Sequence, residues 1–276
     1  MRILAELVRS GEGRAGTIVL ALFVLLAATA PWLFPGDPLA INARPLILPF
    51  TDIGHVLGTD RLGRDLLAEL AWGARTTLLV ALSSALAALV AGTAVGTVAG
   101  FLGGWTDDVL MRVSDAFQTV PAFLLALALV SVAGPTLPAI VLSIAAGAWP
   151  QPARIARAQI RSLRERDFVA AARVVGMHPV AIAFREVLPN ALTPVISLAA
   201  IIAAAAVLIE ASLSFLGFGD PNHASWGAMV AEGRAMLRSA PSLSLVPGLA
   251  LVLVVLAIHL LGRGYARALR VREPVA

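Results

Sequence analysis

The sequence predicts an all-α, polytopic membrane protein with six transmembrane helices. Its hydrophobic fraction is 59%, and only 14% of its 276 residues are charged, whereas soluble domains are about 45–50% apolar and about 25% charged. So few charges cannot solvate a globular surface, which excludes a soluble enzyme, a disordered chain and a nucleic-acid-binding protein. The uncharged residues also form runs long enough to cross a bilayer, which takes about 20 residues in a helix.

Five uncharged runs place the six helices. The third run is too long for one span, and glycine and prolines at 134–138 divide it into two helices joined by a short hairpin. The runs occupy residues 17–34, 76–105, 116–153, 187–209 and 239–262. We expect four regions: an N-terminal segment with an uncleaved first helix (1–34), an extracytoplasmic loop (35–73), a core of five helices (74–263) and a cytoplasmic tail (264–276). A secretory signal cleaved near residue 30 is the alternative for the first helix.

The distribution of arginine predicts the orientation. All 21 basic residues are arginine; 15 lie in the segments on one side of the predicted helices and six in those on the other. Cytoplasmic loops of membrane proteins carry the excess of positive charge. We therefore expect both termini in the cytoplasm and the chain in a bacterial inner membrane, in contact with its lipids.

Missing residue types narrow the chemistry further. The chain contains no cysteine, which excludes disulfides, thiolate nucleophiles and cysteine metal sites. It contains no lysine, so it has no phosphate-binding P-loop, and its histidines lack the spacing of a metal site. We expect no catalytic residue, metal or cofactor in this chain, and any ATP hydrolysis must come from another one.

The segment between the fourth and fifth predicted helices is the most informative. Residues 168–175 are rich in alanine and valine and predict a short helix, which Asp167 is suited to cap and Gly176 to end. A helix carrying side chains such as Phe168 and Val175 is too apolar to lie free in water. It requires a partner surface.

This segment resembles the cytoplasmic coupling motif of ABC importer permeases. Ala171 and Ala172 are followed by three residues, Gly176 and, about ten residues later, a Leu-Pro pair at 188–189. Ala170 stands where the family usually has glutamate. Residues 37–265 are similar to the second-subunit type of dipeptide, oligopeptide and nickel permeases, chiefly in segments 55–65, 72–78, 100–107, 111–115, 210–219 and 225–227.

The resemblance implies a type I ABC importer permease fold and a division of labour. An extracytoplasmic binding protein would deliver a di- or oligopeptide, a second homologous permease would complete the pathway, and two ABC ATPases, which bind ATP and Mg, would drive transport. A coupling helix near 167–178 would dock on an ATPase through Phe168, Val169, Ala171, Ala172 and Gly176. The alternatives are another cargo (nickel or another metal chelate, an opine-like compound, or haem) or an ion-coupled secondary transporter, which would predict ionisable residues in mid-membrane.

For the charged residues on the predicted outer side, the sequence allows either a functional or a structural role. Glu210, at the outer end of the fifth helix, would either attract a peptide's ammonium group in the substrate pathway or cap the turn that follows. Charges of alternating sign before the second helix would form either an internal salt-bridge network or a contact for the binding protein. These residues are Asp60, Arg61, Arg64 and Asp65.

Overall fold

The computed structural model describes residues 11–270, in which the regular elements are helices apart from one isolated bridge between Thr59 and Asp65. The predicted basic N-terminal segment with Arg2 and Arg9, up to residue 10, and the tail from 271 onward lie outside the described residues. In chain order the helices are α1 (Gly11–Leu33), α2 (Leu66–Leu102), α3 (Gly104–Thr119), α4 (Ala122–Ala133), α5 (Leu137–Ala148), α6 (Pro150–Leu163), α7 (Asp167–Val174), α8 (Pro179–Ser197), α9 (Ala199–Phe215), α10 (Trp226–Gly233) and α11 (Ser242–Arg270). A short 3₁₀ turn, Arg234–Met236, follows α10.

Within the described residues, three helices are long and apolar enough to cross a membrane alone: α1, α2 and α11. Two further spans result if α3 with α4, bent by 88°, and α8 with α9, bent by 48°, each count as one. The apolar helix α5 has only 12 residues. By length and composition the described chain therefore gives three to five spans and one shorter apolar helix, where the sequence predicted six.

The structure corrects several predicted boundaries. The last helix, α11, continues to Arg270 instead of ending at 262, so the tail predicted from 264 begins within it. Two other corrections concern the third apolar helix and the second helix. The third apolar helix begins at Ala122 rather than 116, because Pro121 forces the preceding Val120 into an extended conformation. The second helix begins at Leu66, ten residues before its uncharged run. Charged residues such as Glu69 do not end a helix, so the uncharged run marked only its apolar part, and the preceding loop ends near residue 65 rather than 73.

A seam of three glycines brings α2 against α6. Gly92, Gly96 and Gly100 are four residues apart and share one face of α2. A Cβ atom at Gly100 would lie 2.7 Å from the carbonyl oxygen of Arg157, and those at the other two would overlap the carbonyl oxygens of Trp149 and Ala153. Small residues at this spacing allow two helix backbones to approach closely in membrane proteins.

The long helix α2 joins two ends of the molecule that differ in chemistry. At the end where α2 finishes, which we call the basic end, α6, α7 and the start of α8 pack around an apolar cluster that includes Phe101 and Ile160. At the end where α2 begins, the loop end, the 216–241 segment contacts both the 37–65 loop and the α4–α5 turn. With 37 residues, α2 is about 55 Å long at 1.5 Å per residue.

Candidate functional site

The predicted short helix is present at the basic end as α7. It begins at Asp167, with Arg166 in the cap position and no side-chain cap. Asp167 therefore lies in the first turn and does not cap the helix as predicted. An acidic side chain there still favours the helix, because it faces the positive end of the helix dipole.

Gly176 ends α7 as the sequence predicts. Its φ is +82°, its N–H donates to the carbonyl oxygen of Arg173 at 3.0 Å, and the N–H of Met177 donates to that of Ala172 at 3.1 Å. This is the Schellman pattern, in which a left-handed residue satisfies the last carbonyls of a helix. A residue with a Cβ atom pays about 1–2 kcal/mol for that conformation and glycine does not, so Gly176 fixes the direction in which the chain continues to α8.

The two faces of α7 have different neighbours. Val169 is 0% exposed and packs in the apolar cluster with Phe101, and half-buried Ala172 lies against the same cluster. On the opposite face Phe168 is 40% exposed, Val174 89% and Val175 82%. The alanines of that face, Ala170 and Ala171, are exposed as well.

The predicted docking surface included Val169 and Ala172, but Val169 is buried within this chain and half-buried Ala172 packs beside it. An α-helix turns by about 100° per residue, so Val169 points away from Ala171 and Val174. Its side chain is buried in contacts within this chain. The apolar surface that α7 leaves uncovered consists of Phe168, Ala171, Val174 and Val175, with Gly176 at its end. Hereafter these four side chains are the outer face of α7.

Arginines of α6 tie the basic end together. Arg157 binds Asp107 of α3 in a bidentate pair with N···O distances of 2.5 and 2.6 Å, the geometry that makes arginine–carboxylate pairs strong. Arg154 pairs with Asp115 of the same helix, and Arg164 donates to the carbonyl oxygen of Gly100 at 3.2 Å. Part of the arginine excess that predicted the orientation therefore also holds α3 and α2 against α6.

At the loop end, Glu210 is a buried structural tie. It lies inside α9 and is 2% exposed. Its Oε1 accepts hydrogen bonds from Ser214 at 2.8 Å and Ser225 at 2.7 Å, and its Oε2 accepts one from Thr77 at 3.2 Å. These hydroxyls come from α9, the start of α10 and α2, so the carboxylate joins three elements. Because α9 continues to Phe215, Glu210 does not cap the following turn, and its oxygens are enclosed rather than open to a cargo.

Two of the alternating charges organise the 37–65 loop. Asp60 is buried, and its Oδ1 accepts the N–H groups of Leu62 and Arg64, both at 2.8 Å. Asp65 caps α2 by accepting the N–H groups of Leu67 at 2.8 Å and Ala68 at 3.0 Å. These contacts support the internal-network interpretation for both aspartates.

The two arginines of the same stretch differ: Arg64 is part of an internal network, whereas Arg61 is free to contact a binding protein. Arg64 lies 3.5 Å from Glu69, 3.7 Å from Glu232 and 3.9 Å from Asp60, and it lines a cavity of about 410 Å³ together with the two glutamates. Arg61 is exposed. It is the member of the stretch whose side chain is open to a partner.

Asp220 connects the α4–α5 turn to the segment after α9. Its carboxylate accepts the N–H of Leu137 at 3.1 Å and that of Asn222 at 3.0 Å, and lies 3.3 Å from Nδ1 of His223. Burial acts to raise the pKa of Asp220, but these N–H groups and His223 outweigh it and hold the pKa below its ordinary value of 3.8. Across the described residues, no three histidine or acidic side chains are grouped so that they could hold a metal.

Sequence reasoning missed the glycine seam and the partners of Glu210. A signal for the seam was available, because Gly92, Gly96 and Gly100 show the four-residue spacing of small residues that marks close helix contacts in membranes. For Glu210 the sequence offers no local signal, since Thr77 lies 133 residues away.

Residues 92–272 match the family model described as binding-protein-dependent transport system inner membrane component. The chain is 38% identical over 260 residues to the di/tripeptide transport system permease protein DppC of Pseudomonas aeruginosa (strain UCBPP-PA14), covering 92% of this chain and 86% of that protein. It is 36% identical over 256 residues to the dipeptide transport system permease protein DppC of Alkalihalophilus pseudofirmus, covering 92% and 84%.

Among solved structures, the chain matches one from the MetNI methionine ABC transporter in an inward-facing conformation. The TM-score is 0.59 at 20% identity, with 75% of this chain and 97% of that chain covered. At this identity the likeness shows the fold alone. The predicted all-α permease fold is confirmed.

Proposed function

The chain belongs to the inner-membrane components of binding-protein-dependent transport systems and is a permease subunit of an ABC importer; from this premise we propose how it is coupled and what it carries. It forms the pathway for di- or oligopeptides together with a second, homologous permease. An extracytoplasmic binding protein delivers the cargo. Two ABC ATPases, which bind ATP and Mg, dock on the permeases and supply the energy.

The observation that carries this proposal is the outer face of α7. Val174 and Val175 are more than 80% exposed on a helix whose other face is firmly seated in the protein. A cluster of exposed apolar side chains on a short, well-anchored helix is a surface that needs a partner in water. We assign that partner as an ATPase subunit, with Phe168, Ala171, Val174 and Val175 in its groove.

The inner face of α7, formed by Val169 and Ala172, transmits movement of the ATPase to the membrane helices. Val169 and Ala172 press on a cluster containing Phe101, at the end of α2, and Ile160, in α6. The glycine seam then holds α6 on α2 over about two turns. Packed helices move as rigid bodies, so displacing α7 tilts α2 and α6 together and changes access to the pathway between the two permeases.

Docking on an ATPase requires the basic end to face the cytoplasm. The arginine excess of this end agrees with that orientation. It also puts both termini in the cytoplasm and the 37–65 loop with Arg61 outside, where a binding protein could touch it. Val169 is excluded from the docking contact, and Ala170 lies at its edge, where the family's usual glutamate would add a charge that this chain lacks.

Peptide cargo is proposed from the relatives, which are named as dipeptide and di/tripeptide permeases and are 36–38% identical over most of their length. The other cargoes consistent with the sequence are a nickel or metal chelate, an opine-like compound and haem. Competition in an uptake assay separates them: unlabelled dipeptide or oligopeptide should reduce uptake of labelled peptide, whereas an effect of a metal chelate or haem alone would reassign the cargo.

The coupling proposal is tested at Val174. Val174→Asp places an unpaired charge in the apolar contact, whereas Val174→Thr keeps the shape and adds no charge. We expect Val174→Asp to abolish peptide uptake and to reduce co-purification of the ATPase, with membrane insertion of the permease unchanged. Val174→Thr should retain most of both. Full uptake in Val174→Asp would mean that α7 is a solvated loop and would withdraw the coupling role.

A further inference from the structure

A groove of about 430 Å³ lies between α1 and α2. Both helices are long and apolar enough to cross a membrane alone, and they pack against each other. Small or aliphatic side chains line most of the groove: Val24, Ala27 and Ala28 of α1, and Leu78 and Leu82 of α2. Because the lining residues of each helix are three or four positions apart, they share one face, and the groove follows the helix axes.

The groove changes character toward the loop end. There it is lined by Trp32 of α1 and Arg75 of α2, and Trp32 is 79% exposed. The indole N–H of Trp72 donates to the carbonyl oxygen of Phe34 at 3.3 Å, which holds the end of α1 beside the first two turns of α2. Along the groove, an apolar stretch is therefore followed by an aromatic ring and a cation.

Arg75 marks the level at which α2 leaves the hydrocarbon, because the uncharged run 76–105 begins directly after it. Its guanidinium lies 5.6 Å from the ring centre of Trp72, one turn nearer the loop end, so the side chain extends away from the apolar stretch. An arginine near the end of a membrane helix reaches the interface in this way. Arg75 is exposed, and no carboxylate within residues 11–270 pairs with it. Its charge is open to an outside anion.

We propose that this groove binds an anionic phospholipid of the leaflet at the loop end. One acyl chain lies along Val24, Ala28 and Leu82, and the headgroup phosphate binds Arg75. The order of the lining residues matches the order of a lipid leaflet: apolar side chains for the hydrocarbon, tryptophan for the interface and arginine for the phosphate, which its planar donors bind in pairs.

The unpaired charge of Arg75 favours an anionic lipid over a zwitterionic one. Both kinds carry a phosphate, but phosphatidylethanolamine brings its own ammonium group, whereas phosphatidylglycerol has a net negative charge. Basic side chains near the membrane surface attract anionic lipids for this reason. The binding preference between these two lipids is therefore the property that the proposal predicts.

The second permease is the competing occupant of the groove. Covering Arg75 with protein would bury its charge unless the partner supplied a carboxylate at the same level. A membrane provides a phosphate at that level without a dedicated partner residue. The proposal rests on the chain being a membrane permease and not on its cargo or on the docking of α7, so its failure would leave both of those intact.

Photoactivatable lipids test the proposal in the assembled transporter. The transporter is reconstituted in vesicles of phosphatidylcholine and phosphatidylethanolamine that contain a small fraction of one probe. The probe is either phosphatidylglycerol or phosphatidylethanolamine with a diazirine in one acyl chain. After illumination, mass spectrometry locates the attached lipid, and labelling of the groove at Val24, Ala28 and Leu82 is divided by the labelling of the other spans.

In the wild type we expect the phosphatidylglycerol probe to label the groove about fivefold more than the phosphatidylethanolamine probe, which corresponds to about 1 kcal/mol for one arginine at a membrane surface. Arg75→Gln should lose this preference and Arg75→Lys should keep most of it. Arg238→Gln is the matched control, because it removes an exposed arginine of the loop end that does not line the groove.

A second pair of variants tests the acyl-chain part of the site with Arg75 in place. Ala28→Phe fills the groove and should reduce the labelling of Val24 and Leu82 by both probes. Ala21→Phe, on exposed α1 surface outside the groove, should leave it unchanged. Labelling of the other spans should be the same in every variant, which shows that the transporter is assembled.

Four results would overturn the proposal. Equal labelling of the wild-type groove by the two probes would show bulk lipid without a site. A groove that neither probe labels, with the other spans labelled, would show that a protein covers it. A preference that survives Arg75→Gln, or that is lost equally in Arg238→Gln, would remove the role of Arg75. Unchanged labelling in Ala28→Phe would show that no acyl chain occupies the groove.

Discussion

Two regions of the molecule, the outer face of α7 at the basic end and the surroundings of Glu210 at the loop end, differ in what they expose and what they bury. At the basic end, apolar residues such as Val174 and Val175 are exposed on α7. At the loop end, carboxylates such as Glu210 and Asp60 are buried and hydrogen-bonded within the chain. An exposed apolar surface costs free energy until a partner covers it, whereas the carboxylate of Glu210 accepts a hydrogen bond at each oxygen and is satisfied within the chain.

This difference assigns separate tasks to the ends. In the proposed coupling, the basic end presents the outer face of α7 to an ATPase, and at the loop end Glu210 joins α2, α9 and the start of α10. The charges before α2 divide in the same way: Asp60 and Asp65 bind backbone N–H groups of the loop and of α2, whereas Arg61 is exposed, and we propose it as a contact for the binding protein.

The largest effect on transport is expected at Gly176. A Cβ atom there meets no neighbour within 4 Å, but φ is +82°, so Gly176→Val strains the backbone without a clash. We expect uptake to be lost because α7 changes its angle to α8, at a stability cost of about 1–2 kcal/mol. Gly176→Asn is the control, since asparagine adopts the left-handed conformation more readily, and it should retain uptake. Equal uptake by both variants would show that the angle of α7 does not matter.

The glycine seam that connects the two ends is the next test. In Gly96→Ala the new methyl group would overlap the carbonyl oxygen of Ala153, so α2 and α6 must separate. Overpacking of this kind costs about 1–3 kcal/mol, and we expect a lower thermal midpoint and reduced uptake. Gly248→Ala, in α11, is the matched control because its methyl group enters open space, and its midpoint should stay the same or rise. A neutral Gly96→Ala would mean that the helices are not in close contact there.

Substitutions of Glu210 test whether its hydrogen bonds hold α2, α9 and α10 together at the loop end. Glu210→Ala removes the acceptor of three hydroxyl groups, and leaving buried donors unpaired costs about 1–3 kcal/mol. Glu210→Gln keeps one acceptor oxygen and should recover part of that loss. The measurement is the thermal midpoint of the purified transporter, alongside uptake. If both variants keep the wild-type midpoint but lose uptake, Glu210 acts on the cargo and not as a tie.

The smallest effect is expected from the pH dependence of Asp220. Because its pKa is lowered in the folded state, the ionised carboxylate stabilises the fold above its ordinary pKa of about 4, and this contribution is lost as the pH falls through the lower folded value. The midpoint difference between wild type and Asp220→Asn should therefore be constant from pH 7 to 5 and shrink below about pH 4. A difference that already changes between pH 7 and 5 would contradict this account of Asp220.

The sequence predicted those structural features whose signal lies within a few residues and missed those that depend on packing between distant segments. Gly176 was predicted correctly because a glycine directly after a short helical segment has one common structural meaning. The orientation of α7 was not predicted, because Val169 and Val174 are identical in chemistry and only the packing shows which one is buried. The start of α2 was missed because the absence of charge marks only the apolar part of a helix and does not show where the helix begins. Two of the three partners of Glu210, Thr77 and Ser225, lie in other elements that only the fold brings to it.

The central claim, that the outer face of α7 contacts an ATPase while its inner face belongs to the permease, is tested most directly by site-specific crosslinking. In this cysteine-free chain, single cysteines at Phe168, Val174 or Val169 can each carry a cysteine-reactive photo-crosslinker in the assembled transporter. We predict crosslinks to the ATPase from positions 168 and 174 and crosslinks within the permease from 169. Crosslinks to the ATPase from 169 alone, or none from 168 and 174 in a transporter that still takes up peptide, would contradict the account.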